Sequence, residues 1–246
     1  MLLPDHCDDG PGAQGRAGLH ASLHEPEAAI LASWIGNALS WTRAIRQGRI
    51  LSRVRVTNPA ILEAIARCNP RSLLDLGCGE GWLSHHCARQ GIAVLGTDAV
   101  DHFTSIAADG APPGARFLTL SHQEIAAGGL SERFDVVVAN FSLLGDHSVE
   151  RLFAALPRLL SAGGNLLVQT LHPLLACADQ PYADGWRESS GMHLPASFRD
   201  QAPWYFRTLE SWVRLFHRHG LRLQDVREPL DVMSGQPASI IFRASA

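Results

Sequence analysis

Short apolar segments alternate with segments of helical periodicity between residues 71 and 171, and this alternation restricts the possible folds more than any other feature. The apolar segments lack a polar face, as expected of buried parallel strands. Strands are predicted at 71–76, 92–97, 115–120, 134–139 and 165–171, and helices at about 80–90, 101–109 and 148–160. Strands and helices that alternate in this way indicate an α/β fold, a Rossmann-like doubly wound sheet.

The segments on either side complete the predicted architecture. Residues 208–219 have helical spacing, and strands are predicted at 221–227 and 238–243, the last one antiparallel to its neighbour. The sheet would then have seven strands and be mostly parallel. Residues 172–207 are too long for a plain connection, so we expect a substrate lid there.

The N-terminal third is expected to lie outside this sheet. Residues 1–24 have no periodicity and are predicted to be a flexible tail. Helices are predicted at 25–48 and 58–68, the second with Asn58 as N-cap and Pro59 at its first position. These helices would form a cap (25–68) on a single domain that spans 25–246.

Composition excludes several classes of function. The net charge is −3, so there is no basic surface for nucleic acid or for a membrane. Every basic residue is arginine, which excludes lysine chemistry. The five cysteines are scattered and form no CxxC pair, which argues against a disulfide framework or a zinc site. With no signal peptide and no long apolar run visible, we expect a cytoplasmic protein.

A glycine-rich turn follows the first predicted strand, in the sequence Asp75-Leu76-Gly77-Cys78-Gly79-Glu80-Gly81. A nicotinamide-binding turn, GxGxxG, would require glycine at position 82, which is Trp82. A phosphate-binding P-loop would require lysine. The acid Asp75 comes just before the turn, where its charge would repel phosphate and attract an ammonium group.

A second acid, Asp98, ends the next predicted strand and therefore lies beside the glycine turn in a parallel sheet. A carboxylate at this position can bind both hydroxyls of a ribose. A ligand with a ribose and a cationic group but no phosphate is indicated, and S-adenosylmethionine fits that description. The alternative is that Asp75 and Asp98 only cap the helices that follow them.

These residues, taken with three later segments, resemble the class I S-adenosylmethionine-dependent methyltransferases of the small-molecule type. The glycine turn and Asp98 are similar to the family's motif I and acidic loop. The segments that resemble its fourth strand, fifth strand and C-terminal helix are FDVVVANFSLL, LPRLLSAGGNLLVQT and SWVRLFHRHGLRLQDVREP. The resemblance covers roughly residues 50–245.

The resemblance implies a cofactor, S-adenosylmethionine, with S-adenosylhomocysteine as product, and a set of residues that bind it. Asp75 would hold the amino group, Asp98 the ribose, and the backbone at Gly77 and Gly79 would approach the methionine part. Cys78 and Ala99 lie in the same two turns. Asn140 would lie under the methionine or the methyl group.

Two further cofactor contacts stay open. The family often has aspartate where this chain has Ser121, so His122 or Gln123 would supply the contacts to adenine. Arg53 is a candidate for the cofactor's carboxylate; the alternative is a solvated surface arginine.

The acceptor is less directly indicated. The segment Asn140-Phe141-Ser142 matches only the first position of the NPPY-type motif of enzymes that methylate bases or amides, which disfavours a nucleic acid substrate. His172 follows the fifth strand and would be a general base, or a histidine that hydrogen-bonds a turn. Tyr205 would orient the acceptor, or anchor the chain as a buried aromatic.

Aromatic residues and one arginine are predicted to bind the acceptor. These residues are Trp34, Phe141, Trp186, Arg187 and Trp204. The alternatives are a core position, which for any single Trp is the better interpretation, and, for Arg187, an ion pair that ties the lid to an acid such as Glu188 or Glu210. No metal site is predicted, because the paired histidines have spacings that place them on different helix faces and only Asp146 lies near the fourth strand.

The expected function is transfer of a methyl group to oxygen, nitrogen or carbon of a small aromatic or amine-bearing acceptor. One alternative is a sensor or partner subunit that binds S-adenosylmethionine without transferring the methyl group. Another is a protein methyltransferase. The sequence does not indicate an oligomeric state.

Overall fold

The computed structural model describes residues 25–188, 198–199 and 201–246. The predicted tail, 1–24, lies outside the described residues, as do 189–197 and residue 200 within the predicted lid.

The helices and strands agree closely with the predicted alternation. In chain order, the helices are α1 (Glu25–Arg46), α2 (Asn58–Cys68), α3 (Trp82–Arg89), α4 (Asp101–Ala108), α5 (His122–Glu124), α6 (His147–Leu159), α7 (Pro173–Cys177) and α8 (Leu209–Arg218). The strands are β1 (Ser72–Leu76), β2 (Ala93–Asp98), β3 (Ala115–Thr119), β4 (Phe134–Asn140), β5 (Leu160–Thr170), β6 (Gly185–Arg187), β7 (Trp204–Phe206), β8 (Arg222–Arg227), β9 (Leu230–Asp231), β10 (Gln236–Pro237) and β11 (Ile240–Ser245).

Seven of these strands form one sheet in the order β3-β2-β1-β4-β5-β11-β8. The pairings among β1 to β5 are parallel, and β11 pairs antiparallel with both β5 and β8. The predicted seven-stranded, mostly parallel sheet with an antiparallel last strand is therefore confirmed. The last strand lies between β5 and β8 in the sheet, which the sequence did not indicate.

Successive residues of β1 point to opposite faces of the sheet, so each face has its own apolar core. Leu74 packs with Val137 and with Phe153 of α6 on one face. Leu73 packs with Val136 on the other face, against α2 and α3. All five side chains are fully buried. Two covered faces explain why the strand segments read as continuously apolar.

One predicted helix start was wrong. Residues Arg53–Thr57 form a π-helical turn that continues directly into α2, so Asn58 already has helical dihedral angles. The N-cap position belongs to Thr57, and Asn58 is the first helical residue. The asparagine–proline pair therefore continues a helical path that begins at Leu51.

The segment 172–207, which we call the lid segment, contains α7 and a small antiparallel pair of strands, β6 and β7. It is tied to α1 across the top of the sheet. The side chain of Asn37 donates to the backbone oxygen of Arg199 at 2.6 Å and accepts from its backbone nitrogen at 2.9 Å. Helix α1 and the lid segment thus meet above the ends of the strands.

Within the described part of the chain, we find no helix with the length and apolar character needed to cross a membrane.

Candidate cofactor and acceptor site

A single cavity of about 860 Å³ lies where the parallel strands end. Most of the predicted site residues line it: Trp34, Arg53, Asp75, Gly77, Cys78, Gly79, Asp98, Ala99, His122, Gln123, Asn140, Phe141, His172, Trp204 and Tyr205. Trp186 and Arg187 are not among the lining residues. Ligand pockets usually measure roughly 300–1,000 Å³, so the volume of this cavity is that of a small-molecule binding site.

The glycine turn is pressed against the end of β4. Gly77 has a φ of +71°, and a Cβ atom added to it would lie 2.3 Å from the Cβ atom of Ser142. The Ser142 hydroxyl donates to the backbone oxygen of Leu76 at 2.5 Å, which fixes this close approach. Only glycine fits here, and the backbone of the turn therefore borders the cavity without a side chain in between.

Asp75 is buried at the floor of the cavity, with a side chain that is 1% exposed. Its Oδ2 atom accepts a hydrogen bond from the Ser84 hydroxyl at 2.7 Å. The pKa of Asp75 is raised to about 7, mainly by burial. The neighbouring Asp98 contributes to this rise, and the hydrogen bond from Ser84 opposes it. A cationic group bound beside Asp75 would favour the ionised form and relieve this cost.

Asp98 holds two turns together. Its Oδ2 atom accepts from the backbone nitrogen of Gly79 at 3.0 Å, and its Oδ1 atom accepts from that of Val100 at 2.9 Å. An ionised carboxylate has about four acceptor positions, so two remain for hydroxyl groups of a ligand. Burial raises the pKa of Asp98. The capping role considered as an alternative is thus present, and it is compatible with binding a ribose.

Arg53 is not a surface residue. Its guanidinium is buried among the rings of Trp41, Trp82 and Phe141, with its Cζ atom 5.1, 5.5 and 5.9 Å from their centroids. Burial lowers the pKa of Arg53 to about 10, and the acids Glu80 and Asp75 oppose that shift. Its Nε atom has no hydrogen-bond partner among the described residues. A buried, charged donor of this kind is suited to bind the carboxylate of the cofactor.

Glu80 is a member of the site that we did not predict. Its side chain is buried, and burial raises its pKa to about 7, with Arg53 opposing. Glu80 lies inside the glycine motif, and this position is the feature of the sequence that could have indicated its place in the site. Its proximity to Arg53 follows from the π-helical turn, which is not visible in the sequence.

The segment after β3 has a capping role in addition to its predicted contact with adenine. Ser121 caps α5, since its hydroxyl accepts from the backbone nitrogen of Glu124 at 3.2 Å while the Glu124 carboxylate accepts from the backbone nitrogen of Ser121 at 2.8 Å. Burial lowers the pKa of His122 to about 4, so the imidazole is neutral near pH 7. The Nε2 atom of Gln123 has no partner in the described structure and is available to a ligand.

The general-base role expected for His172 is not supported by its geometry. The backbone nitrogen of Leu174 donates to Nδ1 at 3.3 Å, and Nε2 lies 2.6 Å from an oxygen of Glu228. His172 is the N-cap of α7, and both ring nitrogens are used within the protein. This arrangement matches the alternative, a histidine that hydrogen-bonds a turn and shapes the pocket.

Tyr205 lines the cavity, and its ring lies under the guanidinium of Arg207, 4.7 Å from the Cζ atom to the ring centroid. Burial raises the pKa of the Tyr205 hydroxyl, and the neighbouring carboxylates of Asp146 and Asp184 raise it further. The phenol is therefore neutral near pH 7 and able to orient a bound molecule, but is unsuited to remove a proton from it.

Aromatic rings also line the cavity. Trp34 makes edge contacts with Trp41 and Phe198, with centroid distances of 5.2 and 6.0 Å. Phe141 has a φ of +57°, which is strained for a residue with a side chain and is typical of functional positions. Trp204 is buried, and its indole Nε1 has no acceptor among the residues described.

Arg187 is used within the lid segment. Its guanidinium donates to Gln180 Oε1 at 2.8 Å and to the backbone oxygen of Pro181 at 2.7 Å, and it lies 4.0 Å from the centroid of Phe206. Trp186 packs against Tyr205 with a centroid distance of 5.5 Å. We therefore leave Trp186 and Arg187 out of the proposed acceptor site, because their contacts stabilise the lid segment.

The described residues contain no group of three or more histidine, cysteine, aspartate or glutamate side chains that would hold a metal ion.

Comparison with known families agrees with this geometry. A family model described as a methyltransferase domain matches residues 50–226, which is more than two thirds of the chain. The chain belongs to this methyltransferase family. The predicted class, an S-adenosylmethionine-dependent methyltransferase of class I with that molecule as cofactor, is confirmed.

The individual proteins that this methyltransferase resembles share limited sequence identity with it. A ubiquinone biosynthesis O-methyltransferase from Rhizobium etli is 32% identical over 111 residues, which are 43% of this chain and 43% of the relative. The match thus spans less than half the length of that relative.

Two solved structures share the fold. A 1,6-didemethyltoxoflavin-N1-methyltransferase from Burkholderia thailandensis, solved with that compound and S-adenosylhomocysteine bound, has a TM-score of 0.61 at 18% identity and covers 90% of each chain. An S-adenosylmethionine-dependent methyltransferase from Mesorhizobium loti has a TM-score of 0.55 at 22% identity and covers 72% of this chain and 91% of its own.

Proposed function

We propose that this methyltransferase transfers the methyl group of S-adenosylmethionine to a small acceptor that carries an aromatic ring or an amine. The observation that supports this most directly is that the lining of one cavity combines two kinds of residue. Buried acids and an arginine lie beside the glycine turn, and the aromatic residues Trp34, Phe141 and Trp204 line the same cavity.

The charged residues fit the cofactor one by one. Arg53 would hold its carboxylate, Asp75 its ammonium group and Asp98 its ribose, while Gln123 offers a free amide donor toward the base. The cofactor supplies a methyl group on a positively charged sulfur, which leaves as a neutral thioether. The protein therefore has no strong anion to stabilise, and much of its contribution is to hold the two molecules in line.

A small acceptor is favoured by the way the cavity is closed. Helix α1 and the lid segment meet through the Asn37–Arg199 hydrogen bonds and through Phe198, which packs against Trp34. A long peptide would need an open groove at this position. Two similar proteins, an O-methyltransferase of ubiquinone biosynthesis and a 1,6-didemethyltoxoflavin-N1-methyltransferase, support a small-molecule acceptor.

The test is incubation of the protein with S-adenosylmethionine labelled on its methyl group and a panel of phenols, amines and indoles. We expect label in a small molecule. Cofactor binding without transfer to the panel or to small molecules of a cell extract would instead support the sensor, and label in protein bands would support a protein methyltransferase.

A further inference from the structure

Glu27, in the first turn of α1, is a buried acid that the sequence did not single out. One carboxylate oxygen, Oε1, accepts three hydrogen bonds: from the backbone nitrogens of Asp146 and Ser148 and from the Ser148 hydroxyl, each at 2.9 Å. Two of these donors belong to the start of α6. Glu27 is thereby held in one orientation by the N-terminus of a helix other than its own.

The second oxygen of Glu27 is not used by the protein. The side chain is 5% exposed and lines the cavity, and Oε2 has no hydrogen-bond partner among the described residues. A buried carboxylate oxygen without a donor is costly, since it has lost water and gained nothing in return. The cost is relieved when a bound molecule brings a donor to that oxygen.

The charge of Glu27 also lacks a basic partner in the described structure. Asp146, whose backbone nitrogen donates to Glu27, is itself an acid. The neighbouring His122 is neutral near pH 7 because burial lowers its pKa to about 4. Arg207 of the lid segment donates to the backbone oxygen of Gly145 at 2.8 Å and to the carboxylate of Asp146, just before α6. The cavity is thus lined by a fixed carboxylate that has no basic partner among the described residues.

We propose that Glu27 recognises the acceptor by binding a cationic nitrogen, so that the acceptor is an amine with an aromatic ring. This inference rests on the proposed methyltransferase function and narrows its acceptor class. An ammonium group would donate to Oε2 and compensate the charge in one contact. The aromatic walls favour the same ligand, because the faces of indole rings such as Trp34 and Trp204 attract cations.

Matched pairs of small molecules test this proposal by binding alone, with S-adenosylhomocysteine present to complete the site. Tyramine is compared with tyrosol, and tryptamine with tryptophol; each pair differs in an ammonium group replaced by a hydroxyl. By calorimetry, the ammonium member is expected to bind ~10- to 100-fold more tightly, as a hydrogen bond to a charged group predicts.

The variant Glu27→Gln keeps the shape of the side chain and an oxygen for the α6 N-terminus, but removes the charge. We expect it to abolish the preference within each pair while leaving the affinity for S-adenosylhomocysteine unchanged, which also shows that the variant is folded. Glu25→Gln is the matched control, since Glu25 is exposed two residues away on the same helix. It should preserve the preference.

Equal affinity of both members of each pair for the unaltered protein would overturn the proposal, as would a preference that survives Glu27→Gln, or no binding of either amine. These results differ from failure of the proposed function. Methyl transfer to a phenol, with no preference for amines, would reject Glu27 as the recognition group and keep the small-molecule methyltransferase.

Discussion

The side chains around the glycine turn include both acids and an arginine, and burial disfavours the charged form of each of them. Asp75 and Glu80 both have a pKa raised to about 7, and Arg53 has one lowered to about 10, in each case mainly because of burial. In the proposed function, the ammonium group of the cofactor would lie beside Asp75 and its carboxylate beside Arg53. The free protein therefore carries an electrostatic cost that binding removes.

This cost predicts a pH dependence for cofactor binding. Because the pKa of Asp75 is raised to about 7, the side chain is mostly protonated at low pH and cannot attract an ammonium group. Affinity for S-adenosylhomocysteine should rise as the pH increases through 7, by about tenfold for each unit below the pKa, and then level off. Titrations by calorimetry between pH 5.5 and 7.5 will measure this.

Asp75→Asn should bind weakly with a flatter pH profile, since it has no proton to lose, whereas Asp109→Asn, an exposed position, should behave like the unaltered protein. Affinity that does not vary with pH would contradict the role of Asp75.

Replacing Asp98 should reduce the affinity for the cofactor more than replacing Asp75. Asp98→Ala removes the expected ribose contacts and both backbone hydrogen bonds that hold the glycine turn. Two hydrogen bonds to a charged group are worth ~3–6 kcal/mol together, so affinity for S-adenosylhomocysteine should fall by more than ~100-fold. Asp109→Ala, at the exposed end of α4, is the control. Normal affinity in Asp98→Ala would remove the cofactor assignment.

Three helices begin near the cavity, and side chains for which the sequence suggests other roles bind the backbone N–H groups at their N-termini. His172 caps α7, Ser121 caps α5, and Glu27 binds the start of α6. A helix N-terminus has four backbone N–H groups without partners, and each of these residues satisfies some of them. The carboxyl ends of parallel strands lead into helix N-termini, so polar residues there serve the fold as well as the ligand.

The capping role of His172 can be separated from general-base catalysis by two variants. His172→Asn retains a good N-cap and should keep turnover and stability close to the unaltered protein. His172→Ala should lower the free energy of unfolding by ~1 kcal/mol, measured by urea denaturation. A large loss of turnover in His172→Asn, with cofactor affinity unchanged, would restore His172 as the base.

The molecule as a whole closes its site with parts that are distant in sequence. Asn37, which is buried in α1, binds both backbone groups of Arg199, while Trp34 and Trp41 pack against Phe198. These contacts join the N-terminal helix to the lid segment. If the proposed function is correct, entry of the acceptor into the cavity depends on contacts between segments that are far apart in the chain.

Asn37→Asp tests this closure with minimal change of shape. An aspartate accepts from the backbone nitrogen of Arg199 but cannot donate to its backbone oxygen, so one hydrogen bond becomes a repulsive contact. We expect faster hydrogen exchange in the described part of the lid segment and a higher KM for the acceptor, with cofactor affinity unchanged. Arg43→Ala, exposed on the same helix, is the control. Unchanged exchange would show that this contact does not hold the lid segment.

The cofactor and the sheet were predictable from the sequence because both depend on local patterns. The strands at 71–76 and 134–139 are visible as apolar runs, and Gly77, Asp75 and Asp98 lie within two short segments whose geometry follows from strand–turn–helix rules.

The proposed contacts with the acceptor were not predictable in this way. Glu27 reads as an ordinary acid in the first turn of its own helix, and only the packing of α1 brings it to α6, 119 residues further along the chain. Arg187 and His172 carry suitable chemistry, but their hydrogen bonds commit them to the lid segment and to α7. A local sequence pattern specifies the backbone geometry of a few neighbouring residues. The partner of a buried charged side chain depends instead on which distant segments of the chain pack against it.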